Sequence, residues 1–333
     1  MTTTMTMPYL CFLILLLIVF PASNSYSNSN RDTPSFTLMS WNMQWLSIKP
    51  TSPIVRSDAD YQALQHFFIH YSPDILAFQE VDSIEALYRV IDQQHYDIYL
   101  SERAKNPEDH FNTNNQYTGF AVKRDIIVDD TTDLSQLSSP AIATGIMMPF
   151  KNKLRYGSII RININQQSVV LLNLHLKSGC FTAKQLSKQK TKACKTLAQQ
   201  LQLIKQWLNT QLQQSQSVII VGDFNHRISN NQYFLNQITN EPALINSLST
   251  TINANCTVKL TNKVIRYRTY KNLIDHLFTT KNITAIKQRQ INYNKQQLSQ
   301  FTLSDHCPLL FKLVLNYTIN PLHSRHYNNV HLE

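Results

Sequence analysis

Short apolar runs in this chain repeatedly end in carboxylates, imidazoles or carboxamides. Asn42 follows Leu38 to Trp41, and Gln79 with Glu80 follows Ile75 to Phe78. His175 follows Leu171 to Leu174, and Asp223 with Asn225 follows Val218 to Gly222. Asp275 and His276 follow Leu273 and Ile274, while Asp305 and His306 follow Leu303 and Ser304. Holding a charge at the mouth of a buried strand costs desolvation free energy, so a set of such ends implies one shared site. The hard oxygen donors Asn42, Glu80 and Asp305 suit Mg²⁺ or Mn²⁺, which keep positions open for water and phosphate oxygens. His175 and His306 are the imidazoles for proton transfer, and each needs a carboxylate to fix its tautomer; Glu102 and Asp275 are the candidates. Metal-assisted attack of water on a phosphodiester uses such a set, because it needs a base for the water and groups that hold charge on the phosphorane.

Alternating and helical patterns supply elements to carry these residues. Strands are expected at Phe36 to Trp41, Ile75 to Phe78, Tyr96 to Leu100, Tyr117 to Val122, Val218 to Val221, Leu273 to Phe278 and Leu309 to Val314. Gly157 to Asn163 and Ser168 to Leu174 alternate as two neighbouring strands with Gln166 and Gln167 in the turn. Helices are expected around Tyr61 to Ile69, from Ser83 to Gln94, and from Thr182 to Gln213, where Leu186, Ala193, Leu197, Leu201, Ile204 and Leu208 keep one apolar stripe. Strands dominate with helices interspersed, which fits two packed sheets flanked by helices. A length of 333 residues with 43% hydrophobic content is enough for one large domain.

An apolar run from Tyr9 to Phe20, followed by Pro21, Ala22 and Ser23, reads as the core and cleavage region of a signal peptide. The expected organisation is a leader over residues 1–25, a polar mature N-terminus over 26–34, a catalytic domain over 35–317 and a tail over 318–333, in a secreted or periplasmic protein. Outside the leader the cysteines are Cys180, Cys194, Cys256 and Cys307, and an even count in an exported chain favours disulfides. Cys180 and Cys194 bracket a short segment and form the easiest pair, worth roughly 3 kcal/mol in the chain-entropy account, which leaves Cys256 for Cys307. The formal charge is +10, and Leu176 to Ser304 holds 17 Lys and Arg against Asp223, Glu241 and Asp275. A surface so biased attracts polyanions, nucleic acid or anionic lipid. Lys177, in a run with Lys184, Lys188 and Lys192, is a candidate for tracking phosphates.

The fragments Trp41-Asn42-Met43-Gln44-Trp45, Phe78-Gln79-Glu80-Val81, Asn173-Leu174-His175, Gly222-Asp223-Phe224-Asn225, Ile274-Asp275-His276 and Ser304-Asp305-His306-Cys307-Pro308 occur in the order in which the DNase I-like endonuclease/exonuclease/phosphatase superfamily carries its motifs. The chain resembles that superfamily from about Phe36 to Leu315. The resemblance implies a four-layer α/β sandwich of two mainly antiparallel sheets with the site at one end. It further implies that Asn42 and Glu80 hold the metal and that His306, paired with Asp275, acts on the attacking water. Asp223 and Asn225 would orient nucleophile and phosphate, and Asp305 would assist the metal or the histidine. Ser101-Glu102 looks like the Ser-Glu of pancreatic-type DNases, whose glutamate pairs with a second histidine, here His175. Tyr117 is similar in position to a tyrosine of exonuclease III-like enzymes, and with Lys177 and Arg103 it completes the expected substrate contacts. One departure stands out, since Asp82 occupies the place of an arginine that reaches the DNA minor groove in DNase I. The expected activity is a nuclease acting on DNA or RNA as a monomer. A lipid or inositol phosphodiesterase on the same scaffold is the alternative, and a non-catalytic binding or toxin-like module is a third.

Overall fold

The computed structural model describes residues 1–2, 35–140, 153–180, 186–228, 232–260 and 265–316, so the expected leader, polar N-terminus and C-terminal tail lie outside the described residues. One sheet is built from β1 (Ser35–Leu46), β2 (Ile75–Val81), β3 (Tyr96–Leu100), β4 (Tyr117–Lys123), β13 (Ile283–Gln290) and β14 (Leu309–Leu315), in the order β13-β14-β1-β2-β4-β3. The other contains β5 (Ile127–Asp130), β6 (Ser158–Ile164), β7 (Gln167–His175), β8 (Ser217–Asp223), β9 (Ile245–Ser247) and β12 (Asp275–Thr280), in the order β5-β6-β7-β8-β12-β9. Each sheet is antiparallel except at its middle, where β1 runs parallel to β2 and β7 parallel to β8. A separate hairpin joins β10 (Cys256–Leu260) to β11 (Arg266–Tyr270).

Period-two alternation sorts the side chains into layers. Leu38, Ile75, Ala77, Phe120, Leu171, Ile219, Val221 and Leu277 form the core between the two sheets. Residues of opposite parity on the first sheet, Met39, Trp41, Leu76 and Phe78, pack outward with α1 (Asp58–Tyr71) and α2 (Ile84–Tyr88). On the second sheet Val170, Leu172, Leu174 and Ile220 pack outward under α3 (Lys192–Gln213) and α4 (Gln232–Ile238). Three stacked cores between helix, sheet, sheet and helix make the expected four-layer α/β sandwich. Burying each large apolar side chain contributes about 1.5–3 kcal/mol, so these layers rather than local propensity hold the strand ends in place.

Both expected disulfides are present, Cys180–Cys194 and Cys256–Cys307. Two helices are shorter than their sequence patterns. The expected start of α3 at Thr182 lies outside the described residues; Leu186–Lys188 form a 3₁₀ turn, and the helix begins after Thr191, whose hydroxyl caps the Cys194 N–H. The second stops at Tyr88 instead of Gln94, because the Asp92 side chain accepts from the Gln94 N–H and offers the backbone a local alternative to the helix. The β6–β7 turn falls one residue early, on Asn165 and Gln166, which both have positive φ as a two-residue hairpin requires. Among the described residues no helix is long and apolar enough to cross a membrane.

Candidate active site

Strand register assembles half of the site before any side chain is considered. His175 on β7 lies beside Asp223 on β8, and Asp223 lies beside Asp275 on β12. Gly222 makes this approach possible. Its φ is +130°, and a Cβ there would stand 2.1 Å from the Leu174 carbonyl oxygen, so no other residue fits. On the first sheet, the pairing of β1 with β2 slips between Asn42 and Leu46, and that of β2 with β4 slips between Phe78 and Val81. Glu80 sits in this double irregularity with a φ of +59°, a left-handed conformation that costs a non-glycine residue about 1 kcal/mol or more. The irregularity aims its carboxylate at Asn42, whose amide donates to Glu80 Oε1 at 3.2 Å and to Asp223 Oδ2 at 3.0 Å.

A polar bridge beneath the site locks the two sheets together. Asn173, wholly buried, donates to the carbonyls of Phe78 and Gly119 at 2.8 and 2.7 Å and accepts from Gln79 Nε2 at 2.7 Å. Gln79 precedes Glu80, and Asn173 precedes His175 by two residues, so this bridge sets the spacing between the two contributing sheets. Neither was assigned a role from the sequence, although both lie within the motif fragments.

His175 Nε2 lies 3.6 Å from both Glu80 Oε1 and Asp223 Oδ2, while its Nδ1 has no hydrogen-bond partner among the described residues. Burial, together with the positive charges of Arg155, His306 and Lys177, pushes its pKa well below the usual imidazole range. It is therefore neutral at pH 7, and the carboxylate oxygens facing Nε2 favour the tautomer protonated there. His306 is the opposite case. Its Nδ1 meets Asp275 Oδ2 at 2.8 Å and its Nε2 lies 3.8 Å from Asp223 Oδ2. Burial disfavours its charged form, but Asp275, Asp223 and Asp305 outweigh that and raise its pKa well above the ordinary value. Asp223 is buried and accepts from the Asn225 N–H at 2.7 Å and from both the Asn225 and Asn42 amides; burial raises its pKa even against the nearby His306. Asn225 holds a φ of +51° and anchors itself by donating to the Leu176 carbonyl at 3.1 Å.

Other expected residues are placed differently. Glu102 does not meet His175; its Oε2 accepts from the Asp133 N–H, while Asp133 accepts from the Glu102 N–H and the Ser101 hydroxyl, a reciprocal cap on a 3₁₀ turn. Arg103, expected at the substrate, is fully buried, bonded to Asn115 and the Asp109 carbonyl and stacked on Phe111. Tyr117 is buried beside it, 5.6 Å from the guanidinium. Lys177 does lie beside the site, its charge felt by His175 while its ammonium donates to the Ser178 carbonyl. Asp82 is buried in bonds to Ser47, Lys49 and the Asn115 N–H, a structural carboxylate. His276 is buried between the Ser249 hydroxyl and the His226 carbonyl, and burial lowers its pKa to about 4.

Two arginines emerged only in three dimensions. Arg155 bonds Gln116 and interacts electrostatically with Glu80 and Asp223, which places a cation beside the carboxylates. Arg56 donates to the carbonyls of Met43, Gln44, Trp45, Thr302 and Leu303, tying the irregular end of β1 to the loop that carries His306. Neither lies in a motif, and no spacing marks them out.

Asp223, Asp275 and His306 place ligand atoms within 4.8 Å of one another. The short His306–Asp275 contact makes that cluster an ion-paired relay, and hard cations prefer oxygen to imidazole. Glu80 is the better anchor for a divalent cation, with oxygens that among the described residues accept hydrogen bonds only from Asn42 and the Trp45 N–H. Asn42 Oδ1 accepts from the Gln44 N–H while its amide NH₂ donates to Glu80, which orients that carboxylate. Asp305 lies at the rim, its N–H bonded to Gln44 and its charge felt by His306.

The sequence profile of the Endonuclease/Exonuclease/phosphatase family matches residues 39–306. The chain belongs to this family. Its members are hydrolases acting on phosphoester bonds, and so is this protein. Among solved structures of the fold, zebrafish (D. rerio) TDP2 complexed with single strand DNA product is 15% identical, with a TM-score of 0.56 over 84% of this chain and 98% of that one. TDP2 from C. elegans is 17% identical, with a TM-score of 0.57 over 86% and 78%. The catalytic domain of human Nocturnin with bound sulfate anion is 15% identical, with a TM-score of 0.54 over 85% and 96%. No curated protein matches the sequence.

Proposed function

We propose that the protein is an exported, divalent-metal-dependent nuclease that hydrolyses DNA or RNA phosphodiester bonds by in-line attack of water. The observation that carries this reading is the convergence of His175 and His306 on one oxygen of Asp223 beside Glu80, a set with both a base and charge-stabilising groups within 3.6–3.8 Å of one another. Asp223, made more basic by burial and positioned by Asn225, takes the proton of the attacking water. His306, kept charged by Asp275, and Arg155 offset the negative charge that grows on the phosphorane. Neutral His175 donates through Nε2 to a phosphate oxygen. A Mg²⁺ or Mn²⁺ ion held by Glu80, with Asp223 and Asp305 nearby, would supply Lewis-acid charge to the phosphate. The single strand DNA product bound by zebrafish TDP2 supports a nucleic acid substrate. The leader and both disulfides support export.

Incubating the purified protein with circular duplex DNA, single-stranded DNA, RNA and sphingomyelin, in Mg²⁺ and in EDTA, tests the reading. Nucleic acid degradation that EDTA abolishes is the expected result. Turnover of sphingomyelin alone would move the protein to the lipid phosphodiesterases, and turnover of nothing would contradict the reading.

A further inference from the structure

A cleft of about 480 Å³ opens beside His306 and is lined on its far side by Arg227, Arg268, Tyr270 and Lys271. Its wall is the β10–β11 hairpin, which the Cys256–Cys307 bridge fastens to the residue following His306. Directly opposed residues of an antiparallel pair share a face, so Tyr270 lies on the side of Cys256, and Arg268 on the side of the buried Val258. Arg268 thus shares a face with Val258 but is itself exposed, its guanidinium 4.9 Å from the Tyr270 ring centre. Among the described residues Arg227, Arg268 and Lys271 form no ion pair; Lys271 reaches only the neutral Asn255 amide. No acidic residue occurs between Glu241 and Asp275, so nothing in that stretch offsets them.

We propose that this cleft is a subsite for single-stranded nucleic acid, in which Arg227, Arg268 and Lys271 hold backbone phosphates to one side of the scissile bond. The inference rests on the nuclease reading and adds the strand form and the residues that select it. Three cations from two segments of the chain suit a run of phosphates; one headgroup phosphate would be met by the catalytic residues alone. The Arg268–Tyr270 stack offers a planar surface to unpaired bases, which a duplex keeps covered. The disulfide holds this surface at a set distance from His306, so strand position and cleavage position are coupled.

The test compares wild type with the double variant Arg268→Ala and Lys271→Ala, on a 16-nucleotide oligothymidylate and on bis(4-nitrophenyl) phosphate in Mg²⁺. The expected rise in KM for the oligonucleotide exceeds that for the small diester about tenfold or more. The slope of log(kcat/KM) against log salt for the oligonucleotide also flattens by about 0.7 per phosphate contact removed. Equal changes on both substrates would overturn the subsite. Failure of the nuclease reading shows separately, as no turnover of either substrate by the wild type. The subsite is then read by fluorescence anisotropy of the labelled oligonucleotide without catalysis, and unchanged affinity in the variant overturns it. Loss of binding to phosphatidylserine-containing vesicles, with oligonucleotide affinity intact, would overturn it in favour of a lipid surface.

Discussion

His306 and His175 approach the same oxygen of Asp223, at 3.8 and 3.6 Å, from opposite electrostatic surroundings. His306 has a carboxylate behind its ring and a second one at the rim, which keep it charged despite burial. Burial and the cations around it keep His175 neutral, and among the described residues nothing is bonded behind its ring. One pair of identical side chains is thus split into a charged and a neutral partner by what stands behind each, and a phosphoryl-transfer site uses both forms.

Removing the carboxylate the two share has the largest expected effect. Asp223→Asn should lower kcat on single-stranded DNA by about 10³–10⁴-fold with the fold retained by circular dichroism, and a loss under tenfold would break the comparison at its centre. His175→Ala should lose about 10²-fold, whereas His175→Gln, which keeps a neutral N–H donor, should recover part of it; equal losses in the two would mean that donation is not its role. Asp275→Asn removes the charge that raises the His306 pKa, so the alkaline limb of the kcat profile should move to lower pH, and an unmoved limb would contradict a charged His306. His276 extends the contrast to a purely structural imidazole. It is neutral in the fold with a pKa of about 4 and gains a proton on unfolding, so its contribution is present above about pH 6.5 and lost as pH falls toward 4. Denaturant titrations should show a loss of about 3 kcal/mol over that window, missing in His276→Gln.

Legibility in the sequence followed locality. Strand ends such as Leu174-His175 and Gly222-Asp223 are short apolar runs meeting polar residues, and sheet register brings them side by side, whereas Ser304-Asp305-His306 lies in the loop that precedes β14. Gly222, which opens the Gly222-Asp223-Phe224-Asn225 fragment, allows the close approach there, since a Cβ would stand 2.1 Å from the Leu174 carbonyl oxygen. What escaped was decided by packing at a distance. Glu102 is three strands removed along the chain from His175, and a local cap with Asp133 took its carboxylate. Arg103 follows it in a polar, charged stretch that looks exposed, yet Asn115, Phe111 and the Asp109 carbonyl enclose it. Arg155 and Arg56 lie in irregular segments far along the chain from their partners, Glu80 and Asp223 for one and the Thr302 and Leu303 carbonyls for the other, so no local pattern marks them.

The comparison reduces to whether the charged imidazole does chemistry. The most direct measurement is the initial rate of single-stranded DNA cleavage by wild type and His306→Ala at pH 7 in Mg²⁺, with EDTA as the zero. The account predicts rapid cleavage by the wild type that EDTA abolishes, and a rate about 10³-fold lower in the variant at equal thermal stability. Cleavage by His306→Ala at the wild-type rate, or wild-type cleavage that persists in EDTA, would contradict it.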